Sequence, residues 1–132
     1  MSVVGIGTDL LKLDRLIASY ERTEGRLAER ILGMDEMAVF KQRLARNHGR
    51  GMAYLATRFA AKEAFSKAIG LGMHFPMSWR SLQTLNDPSG KPILLYSGAL
   101  EEFMKKKNWE GIVTITDERD LVAAFVVVSS KV

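Results

Sequence analysis

The chain has 132 residues, of which 47% are apolar and 26% are charged, and it contains no cysteine. A chain of this length buries enough apolar surface to fold as one domain without disulfides or a structural metal. The absence of cysteine excludes a disulfide framework, a thiol nucleophile, an iron–sulfur site and cysteine-ligated zinc. We therefore predict a single domain over residues 1–132.

The sequence predicts neither a membrane anchor nor a leader. Its longest uninterrupted apolar run covers residues 121–128, against the ~18 residues that a membrane-spanning helix requires. The first five residues carry no cationic stretch ahead of an apolar one, which argues against a signal peptide. We expect a soluble, cytoplasmic protein that has no membrane partner.

The basic residues are distributed unevenly. Lysine and arginine number 19 against 15 aspartates and glutamates, which gives a net charge of +4. The interval between Glu36 and Glu63 has no acidic residue but contains Lys41, Arg43, Arg46, Arg50, Arg58 and Lys62. A segment of one charge sign attracts anions such as nucleotides, nucleic acid or acidic proteins. A solvated helix face that is merely basic explains the pattern equally well.

The first part of the chain predicts a strand and an amphipathic helix. Val3–Thr8 is short, apolar and rich in β-branched residues, which is typical of a buried strand. Apolar residues then recur at helical spacing, and most charged residues fall away from that stripe. The stripe consists of Leu13, Leu16, Ile17 and Tyr20.

Two further helices are predicted before the pattern changes. Asp35 is suited to cap a helix that runs to about Leu44, and the polar, glycine-containing residues 47–51 end that helix. The longest periodic stretch follows from Met52 to Ile69, and glycines end it.

The second half of the chain contains most of the predicted strands. Residues 81–85 and 92–96 are strands joined by a turn rich in Asn, Asp, Pro and Gly, and residues 98–107 form a short helix. Two final strands cover residues 112–116 and 121–128. This order predicts an α+β fold in which a small, mainly antiparallel sheet packs against the long helix and the shorter helices.

Asp9 is the first candidate for chemistry. It follows the predicted strand in the segment Gly5-Ile6-Gly7-Thr8-Asp9. A carboxylate at the end of an apolar strand is unfavourable unless it caps a helix or binds a cation. Asp9 as the cap of a helix that starts near Leu11 and Asp9 as a ligand are equally open interpretations here. The glycines do not complete a dinucleotide-binding fingerprint, and they favour close backbone approach.

The second candidate is the segment from Arg58 to Ala68. Glu63 and Lys67 lie four residues apart and therefore share a helix face. An isolated pair of this kind is usually a surface salt bridge worth less than ~1 kcal/mol. However, the surrounding alanines allow close approach, and a carboxylate beside a cation suits Mg²⁺ held together with a diphosphate. The local pattern leaves both interpretations open.

Together the two segments resemble a known family. Gly5-Ile6-Gly7-Thr8-Asp9-Leu10, followed by Arg58-Phe59-Ala60-Ala61-Lys62-Glu63-Ala64-Phe65-Ser66-Lys67-Ala68, is similar to the holo-acyl-carrier-protein synthases, the short-chain phosphopantetheinyl transferases. Gly90-Lys91-Pro92 matches the Gly-Lys-Pro turn of that family, and Val113-Thr114-Ile115-Thr116-Asp117 lies where its penultimate strand ends. The resemblance extends from about Val4 to the last strand, and it implies a phosphopantetheinyl transferase-like fold.

The resemblance also implies a reaction and a set of site residues. Members of the family transfer phosphopantetheine from coenzyme A to a serine of apo-acyl carrier protein in fatty acid biosynthesis, using Mg²⁺ and releasing adenosine bisphosphate. By residue matching, Asp9 and Glu63 would bind the metal, while Glu63 and Lys67 would act in catalysis, with Lys67 facing the diphosphate. The implied contacts of coenzyme A are Arg58, Lys62, Lys67, Gly70 and Pro92.

Partners are implied in the same way. Acyl carrier proteins are strongly acidic, so cations assigned to the first helix would bind the carrier and hasten encounter: Arg15, Arg22 and Arg26. The family forms homotrimers with the nucleotide site between neighbouring subunits. This chain departs from the pattern at Thr116-Asp117, where many members have Ser-His, and the departure removes a cationic contact to the nucleotide.

Two other functions compete with the transferase. A small basic nucleic-acid-binding domain would use the cations between Lys41 and Lys62, but such domains combine exposed aromatic residues with basic ones. Tyr54, Phe59 and Phe65 are predicted to be internal, which argues against that function. A purely structural oligomerisation domain would gain no thermal stability from Mg²⁺ with coenzyme A. The transferase is the predicted function, and nucleic acid is not an expected partner.

Overall fold

The computed structural model describes residues 1–131. Its elements in chain order are β1 (Ser2–Lys12), α1 (Leu13–Arg22), α2 (Arg26–Ile31), α3 (Met34–Arg46), α4 (His48–Ala68), β2 (Leu82–Asn86), β3 (Pro92–Tyr96), α5 (Gly98–Lys107), β4 (Trp109–Asp117) and β5 (Leu121–Ser130). A short 3-10 turn, Trp79–Ser81, precedes β2. This mixture of helices and antiparallel strands confirms the predicted α+β class.

The strands form two antiparallel sheets, one in the order β1-β5-β4 and the other consisting of β2 and β3. β5 is central in the larger sheet, since its Val127 pairs with Ile6 of β1 on one side and with Ile112 of β4 on the other. The β2–β3 hairpin ends at the pair Asn86 and Pro92. The predicted antiparallel pairing is therefore confirmed, although the strands are divided between two sheets.

Helix α4 is the centre of the core. Most of its 21 residues are buried, because β1 and β5 pack on it as well as α3 and β2. A helix that is covered on nearly all sides has little amphipathic character. This explains why alanine, serine and even charged residues lie inside it alongside Leu55 and Phe65.

Strand β1 crosses α4 at unusually short distance because it carries two inward-facing glycines. A Cβ atom on Gly5 would lie 1.9 Å from the carbonyl oxygen of Ala68, and one on Gly7 would lie 1.9 Å from that of Ala64. Two residues along a strand advance about as far as four along a helix. The next residue on this face, Asp9, therefore reaches the preceding turn of α4.

The interpretation of Asp9 as a helix cap is wrong. β1 continues to Lys12, so Asp9 lies within the strand and pairs with Ala124 of β5. Helix α1 begins after Lys12, whose side chain makes no capping hydrogen bond. The strand is longer than its apolar segment because hydrogen bonds to β5 extend across the polar residues.

The helix boundaries near α3 also differ from those predicted. Asp35 is not the cap, since α3 begins after Gly33 and the backbone amides of Asp35 and Glu36 donate to Gln83 Oε1 at 2.8 and 3.1 Å. Residues 48–51 belong to α4 rather than ending α3, because Asn47 caps that helix by accepting from the Arg50 amide at 3.0 Å.

The short helix α2 was not predicted, and it changes the place of Arg26. Glu24 and Gly25 have positive φ angles of 54° and 84°, which end α1 in a tight turn. Arg26 is therefore the first residue of α2 and does not lie on the first helix. Within residues 1–131, no helix has the length and apolar character needed to cross a membrane.

Candidate active site

Asp9, Glu63 and Lys67 meet where β1 crosses α4. The Lys67 ammonium donates to the carbonyl oxygen of Thr8 at 2.8 Å and to Asp9 Oδ1 at 3.4 Å, although Asp9 and Lys67 are 58 positions apart. Glu63 lies one helical turn before Lys67, close enough to Asp9 for that charge to raise the pKa of the Glu63 carboxyl. The two segments singled out in the sequence therefore form one site.

Both carboxyl groups are held in conditions that disfavour their charged forms. Burial raises the pKa of Asp9, and the nearby Lys67 ammonium only partly offsets that effect. Burial is also the largest cause of the raised pKa of Glu63, followed by the negative charge of Asp9. The Lys67 side chain is 52% exposed, so solvent screens its charge and it stabilises the two carboxylates only in part. A further cation between Asp9 and Glu63 would stabilise the charged form of each and lower both pKa values.

The residues present fit a magnesium ion. Asp9 Oδ2 is buried and makes no hydrogen bond within residues 1–131, and buried carboxylate oxygens without partners are rare. Mg²⁺ prefers oxygen ligands and is commonly bound by one or two carboxylates together with substrate phosphates. Over the described chain, no group of three or more His, Cys, Asp or Glu could hold a metal. An ion at Asp9 and Glu63 would therefore need further oxygens from substrate or water.

A second feature, here named the arginine cavity, has a volume of about 590 Å³. Its charged lining residues are Arg43, Arg46, Arg50, Arg58 and Asp117. Four cations against one carboxylate create a field that attracts a phosphorylated ligand. Four of the six cations in the basic interval thus line one concave surface, whereas Lys41 is exposed elsewhere and Lys62 is buried.

Arg58 is the most rigidly held member of this cavity. It is 5% exposed, and its guanidinium donates to the Thr84 carbonyl oxygen at 3.0 Å, to Thr57 Oγ1 at 3.0 Å and to Asn86 Oδ1 at 2.7 Å. Burial lowers the pKa of Arg58. Among the described residues, no carboxylate lies within ion-pair distance of it. A buried cation that lacks a counter-ion favours an anionic ligand.

Lys62 requires a correction. Its side chain is fully buried, and its ammonium donates to Glu36 at 2.8 Å, to the Trp79 carbonyl oxygen at 2.8 Å and to the carbonyl oxygen of Leu82. An ammonium has three donors, and all three are used inside the chain. The expectation that Lys62 contacts coenzyme A is therefore not kept.

Gly70 and Pro92 lie at the ends of elements that border the site. Gly70 is exposed and follows α4 with a φ of 80°. Pro92 begins β3 opposite Asn86, and the Asn86 amide donates to the carbonyl oxygen of Gly90 at 2.8 Å. The Gly-Lys-Pro turn thereby holds Asn86 where it meets Arg58. Direct contacts of Gly70 and Pro92 with coenzyme A stay predictions.

The three arginines assigned to the carrier protein are all exposed. Arg15 and Arg22 lie on α1, and Arg26 begins α2 after the turn. The Arg22 guanidinium makes one local hydrogen bond, to Ser19 Oγ at 3.0 Å. These cations are accessible to an acidic partner, and their role stays a prediction.

Sequence reasoning missed Tyr54 and Asn86 as site residues. Tyr54 is 2% exposed, as its predicted internal position requires, but its ring also lies 4.2 Å from the Arg58 guanidinium carbon. The spacing of four residues between Tyr54 and Arg58 is a usable signal, because such residues adjoin on a helix. Asn86 gives no comparable signal, since its contact with Arg58 depends on how β2 packs against α4.

Comparisons with known proteins agree with this geometry. The chain matches the family model of the 4'-phosphopantetheinyl transferase superfamily over residues 5–126. It is 68% identical over 129 residues to the holo-acyl-carrier-protein synthase of Polynucleobacter asymbioticus, an alignment that covers 98% of this chain and 99% of that protein.

Solved structures show the same similarity. The holo-acyl-carrier-protein synthase of Neisseria meningitidis has a TM-score of 0.89 at 38% identity, covering 96% of this chain and 98% of that one. The enzyme of Bacillus anthracis, in complex with coenzyme A (3',5'-ADP), has a TM-score of 0.81 at 33% identity over 99% and 100% of the two chains. The chain therefore belongs to the 4'-phosphopantetheinyl transferase superfamily. The enzyme class predicted from the sequence, holo-acyl-carrier-protein synthase, is confirmed.

Proposed function

We propose that this protein transfers phosphopantetheine from coenzyme A to a serine of an apo-acyl carrier protein, in a Mg²⁺-dependent reaction of fatty acid biosynthesis. The proposal depends above all on the meeting of Asp9 and Glu63 beside Lys67, with one buried carboxylate oxygen of Asp9 left without a hydrogen bond. The similarity to the Bacillus anthracis enzyme, whose structure contains coenzyme A (3',5'-ADP), supports coenzyme A as the substrate.

The diphosphate of coenzyme A would lie at Asp9, Glu63 and Lys67. Mg²⁺ bound by the two carboxylates would neutralise charge on the leaving phosphate. Lys67 is held in place by its hydrogen bonds to Thr8 and Asp9, yet its side chain is half exposed. Its ammonium can therefore contact the diphosphate oxygens without reorganising. Positioning and charge stabilisation provide most of the rate enhancement in reactions of this type.

Glu63 is the group that we assign to accept the serine proton, directly or through a water molecule. Position favours Glu63 for this role, since it lies beside Asp9 and Lys67 where the diphosphate would be held. The serine oxygen bonds to the β-phosphorus while the bond from that phosphorus to the bridging oxygen breaks. Adenosine bisphosphate leaves with the electron pair, and the serine proton passes to Glu63 and then to solvent.

The arginine cavity would receive the third phosphate of coenzyme A, which is carried on the 3' position of the ribose. Arg58 supports this assignment because it is buried, is fixed by three hydrogen bonds and has no carboxylate of the described chain within ion-pair distance. Asp117 lines the same cavity. In place of the histidine of many relatives, this chain thus offers the nucleotide a carboxylate, which weakens attraction for the phosphate.

The carboxylate site and the arginine cavity can bind one coenzyme A molecule more readily when they come from two neighbouring subunits. Arg58 and Glu63 are five residues apart on α4, so their side chains leave the helix about 140° apart. We propose a homotrimer in which the carboxylates of one subunit face the arginine cavity of the next. The outer face of the β1-β5-β4 sheet supports such an assembly, because Ile6, Leu10 and Ile112 are 61%, 70% and 60% exposed.

We further propose that the exposed Arg15 and Arg22 on α1 and Arg26 on α2 bind an acidic carrier protein, chiefly by steering its approach. Residues 1–132 would act as one transferase domain in the cytoplasm. Nucleic acid binding by the basic interval is not favoured, because Tyr54 and Phe65 are 2% and 0% exposed and Phe59 is half-buried against the Trp79 ring.

The reaction can be followed by the mass of an apo-acyl carrier protein incubated with coenzyme A, Mg²⁺ and the enzyme. We expect Asp9→Asn and Glu63→Gln to reduce turnover by ~10²-fold or more, since each removes a charge that acts at the reacting phosphate. Glu102→Gln, which changes an exposed carboxylate on α5, is the matched control. Near-normal turnover of both site variants would refute the carboxylate-pair mechanism.

Mixing inactive subunits tests the shared site. Asp9→Asn and Arg58→Ala trimers, each inactive or nearly so, are unfolded and refolded together. If each site takes its carboxylates from one subunit and Arg58 from the next, random assembly of equal amounts makes about one site in four fully native. No recovery of activity from two variants that refold well separately would contradict a site built across the subunit boundary.

A further inference from the structure

Lys62 and Glu36 form an ion pair in the core, between α4 and α3. Their atoms approach to 2.8 Å and both side chains are 0% exposed. Two backbone carbonyls, of Trp79 and Leu82, accept the remaining ammonium donors. The lysine therefore joins α4 to the turn and strand that follow it in the chain.

Glu36 extends this network to the walls of the arginine cavity. Its Oε1 accepts from the Gly33 amide at 3.0 Å and so fixes the start of α3, the helix that carries Arg43 and Arg46. Its Oε2 accepts from the Thr84 amide at 2.8 Å. The carbonyl oxygen of Thr84, in turn, accepts from Arg58 Nε at 3.0 Å. A continuous hydrogen-bonded path thus links the buried pair to Arg58.

We infer that the Glu36–Lys62 pair positions Arg58 and the arginine cavity for the 3'-phosphate of coenzyme A. A buried ion pair adds little stability compared with apolar side chains of the same volume, because both charges lose their hydration. An apolar pair would fill the space but would leave the Thr84 amide without its acceptor. What this pair specifically provides is a fixed position of β2, on which two hydrogen bonds of Arg58 depend.

The carboxylates Asp9 and Glu63 are held by different contacts. They depend on the close crossing of β1 over α4, at Gly5 and Gly7. Adjacent helix residues point in directions about 100° apart, so Lys62 and Glu63 face different neighbours. Disturbing the buried pair should therefore affect recognition of the 3'-phosphate far more than the transfer step.

The test compares coenzyme A with 3'-dephospho-coenzyme A as substrates of two variants. Glu36→Gln keeps the shape of the side chain but removes its charge and replaces one of its two acceptor oxygens by an NH2 donor, whereas Lys62→Met removes the ammonium. We expect either change to raise the KM for coenzyme A by about tenfold while the KM for the dephosphorylated substrate and both kcat values change by less than about threefold. The preference for the 3'-phosphate is thereby lost.

Leu100→Ala is the control, because it removes buried apolar contacts in α5 and leaves the network intact. It should lower Tm but keep the wild-type preference between the two substrates. The inference is overturned if the network variants keep that preference, or if Leu100→Ala loses it to the same extent. The inference depends on the proposed function, and the wild-type enzyme separates the two. If the wild-type enzyme does not prefer coenzyme A over the dephosphorylated substrate, both the assignment of the 3'-phosphate and the inference are wrong. If the wild type has this preference and both variants keep it, only the inference is wrong.

Discussion

Gly7→Ala tests whether the close crossing of β1 over α4 positions Asp9 and Glu63, the carboxylates proposed for catalysis. A Cβ atom at this position would lie 1.9 Å from the Ala64 carbonyl oxygen and 2.8 Å from the Ala68 nitrogen. Both atoms belong to the helix backbone, so no side chain can move aside. Real Cβ atoms essentially never approach closer than 3.0 Å. The strand and the helix must therefore separate by about 1 Å, a shift typical of overpacked cores.

Two measurable effects should follow from this displacement. Overpacking costs about 1–3 kcal/mol, which lowers Tm by roughly 3–10 °C in a chain of this size. Because a 1 Å misplacement of reacting groups can cost about 10²-fold in rate, carrier modification should fall by one to two orders of magnitude. Thermal unfolding and the mass of the carrier protein report the two effects separately.

Gly49→Ala provides the comparison for stability, since its added Cβ would meet only the Asn47 side-chain oxygen, at 3.2 Å. The contact must yield by only a few tenths of an ångström and alanine is favoured over glycine within a helix, so this variant should change Tm much less than Gly7→Ala does. Wild-type stability together with wild-type turnover in Gly7→Ala would refute the idea that this crossing positions the carboxylates. Reduced stability with unchanged turnover would show that the crossing serves packing alone.

Two other predictions concern charge. The pKa of Asp9 is raised in the folded protein, so the native state binds more protons than the unfolded chain, and stability decreases as pH rises from the unfolded pKa through the raised one. Without metal at pH 7, Asp9→Asn should therefore have a higher Tm than the wild type. This Tm difference should disappear at a pH below the ordinary aspartate pKa, and a difference that is the same at both pH values would refute the burial argument. Asp117→Asn removes the carboxylate of the arginine cavity and should tighten binding of coenzyme A several-fold at low salt and less at high salt, measured by calorimetry. Weaker binding would indicate that Asp117 contacts the nucleotide directly.

The parts of the fold that were predicted well are those whose signals are local. The strand Pro92–Tyr96 and the helix Gly98–Lys107 have the predicted limits, because turn residues mark where these elements begin. The continuation of β1 through Asp9 was missed, since it depends on pairing with β5, more than a hundred positions away. Helix α2 was missed because six residues are too few for a clear helical period.

The site residues also include some that the sequence identifies and some that it does not. Asp9, Glu63 and Lys67 were identified because their two segments match a family, and the chain fold then brings them together. The role of Lys62 could not be obtained in this way. On a helix that is buried all round, the sequence does not tell which charged residue faces ligand and which faces core.

That ambiguity at Lys62 and Glu63 has a physical origin in how α4 is surrounded. On the side of α4 that faces β1, Gly5 and Gly7 lie directly against the helix backbone. This close approach brings Asp9 near Glu63, where a ligand can bind. The side against α3 and β2 is closed by Glu36, whose carboxylate requires a buried cation. One orientation of α4 satisfies both sides, because the glycine contacts fix the face towards β1 and the ion pair fixes the face towards α3 and β2. Rotating the helix to expose Lys62 would withdraw Glu63 from Asp9 and leave Glu36 buried and unpaired. The same packing that buries Lys62 therefore presents Glu63 at the proposed substrate site.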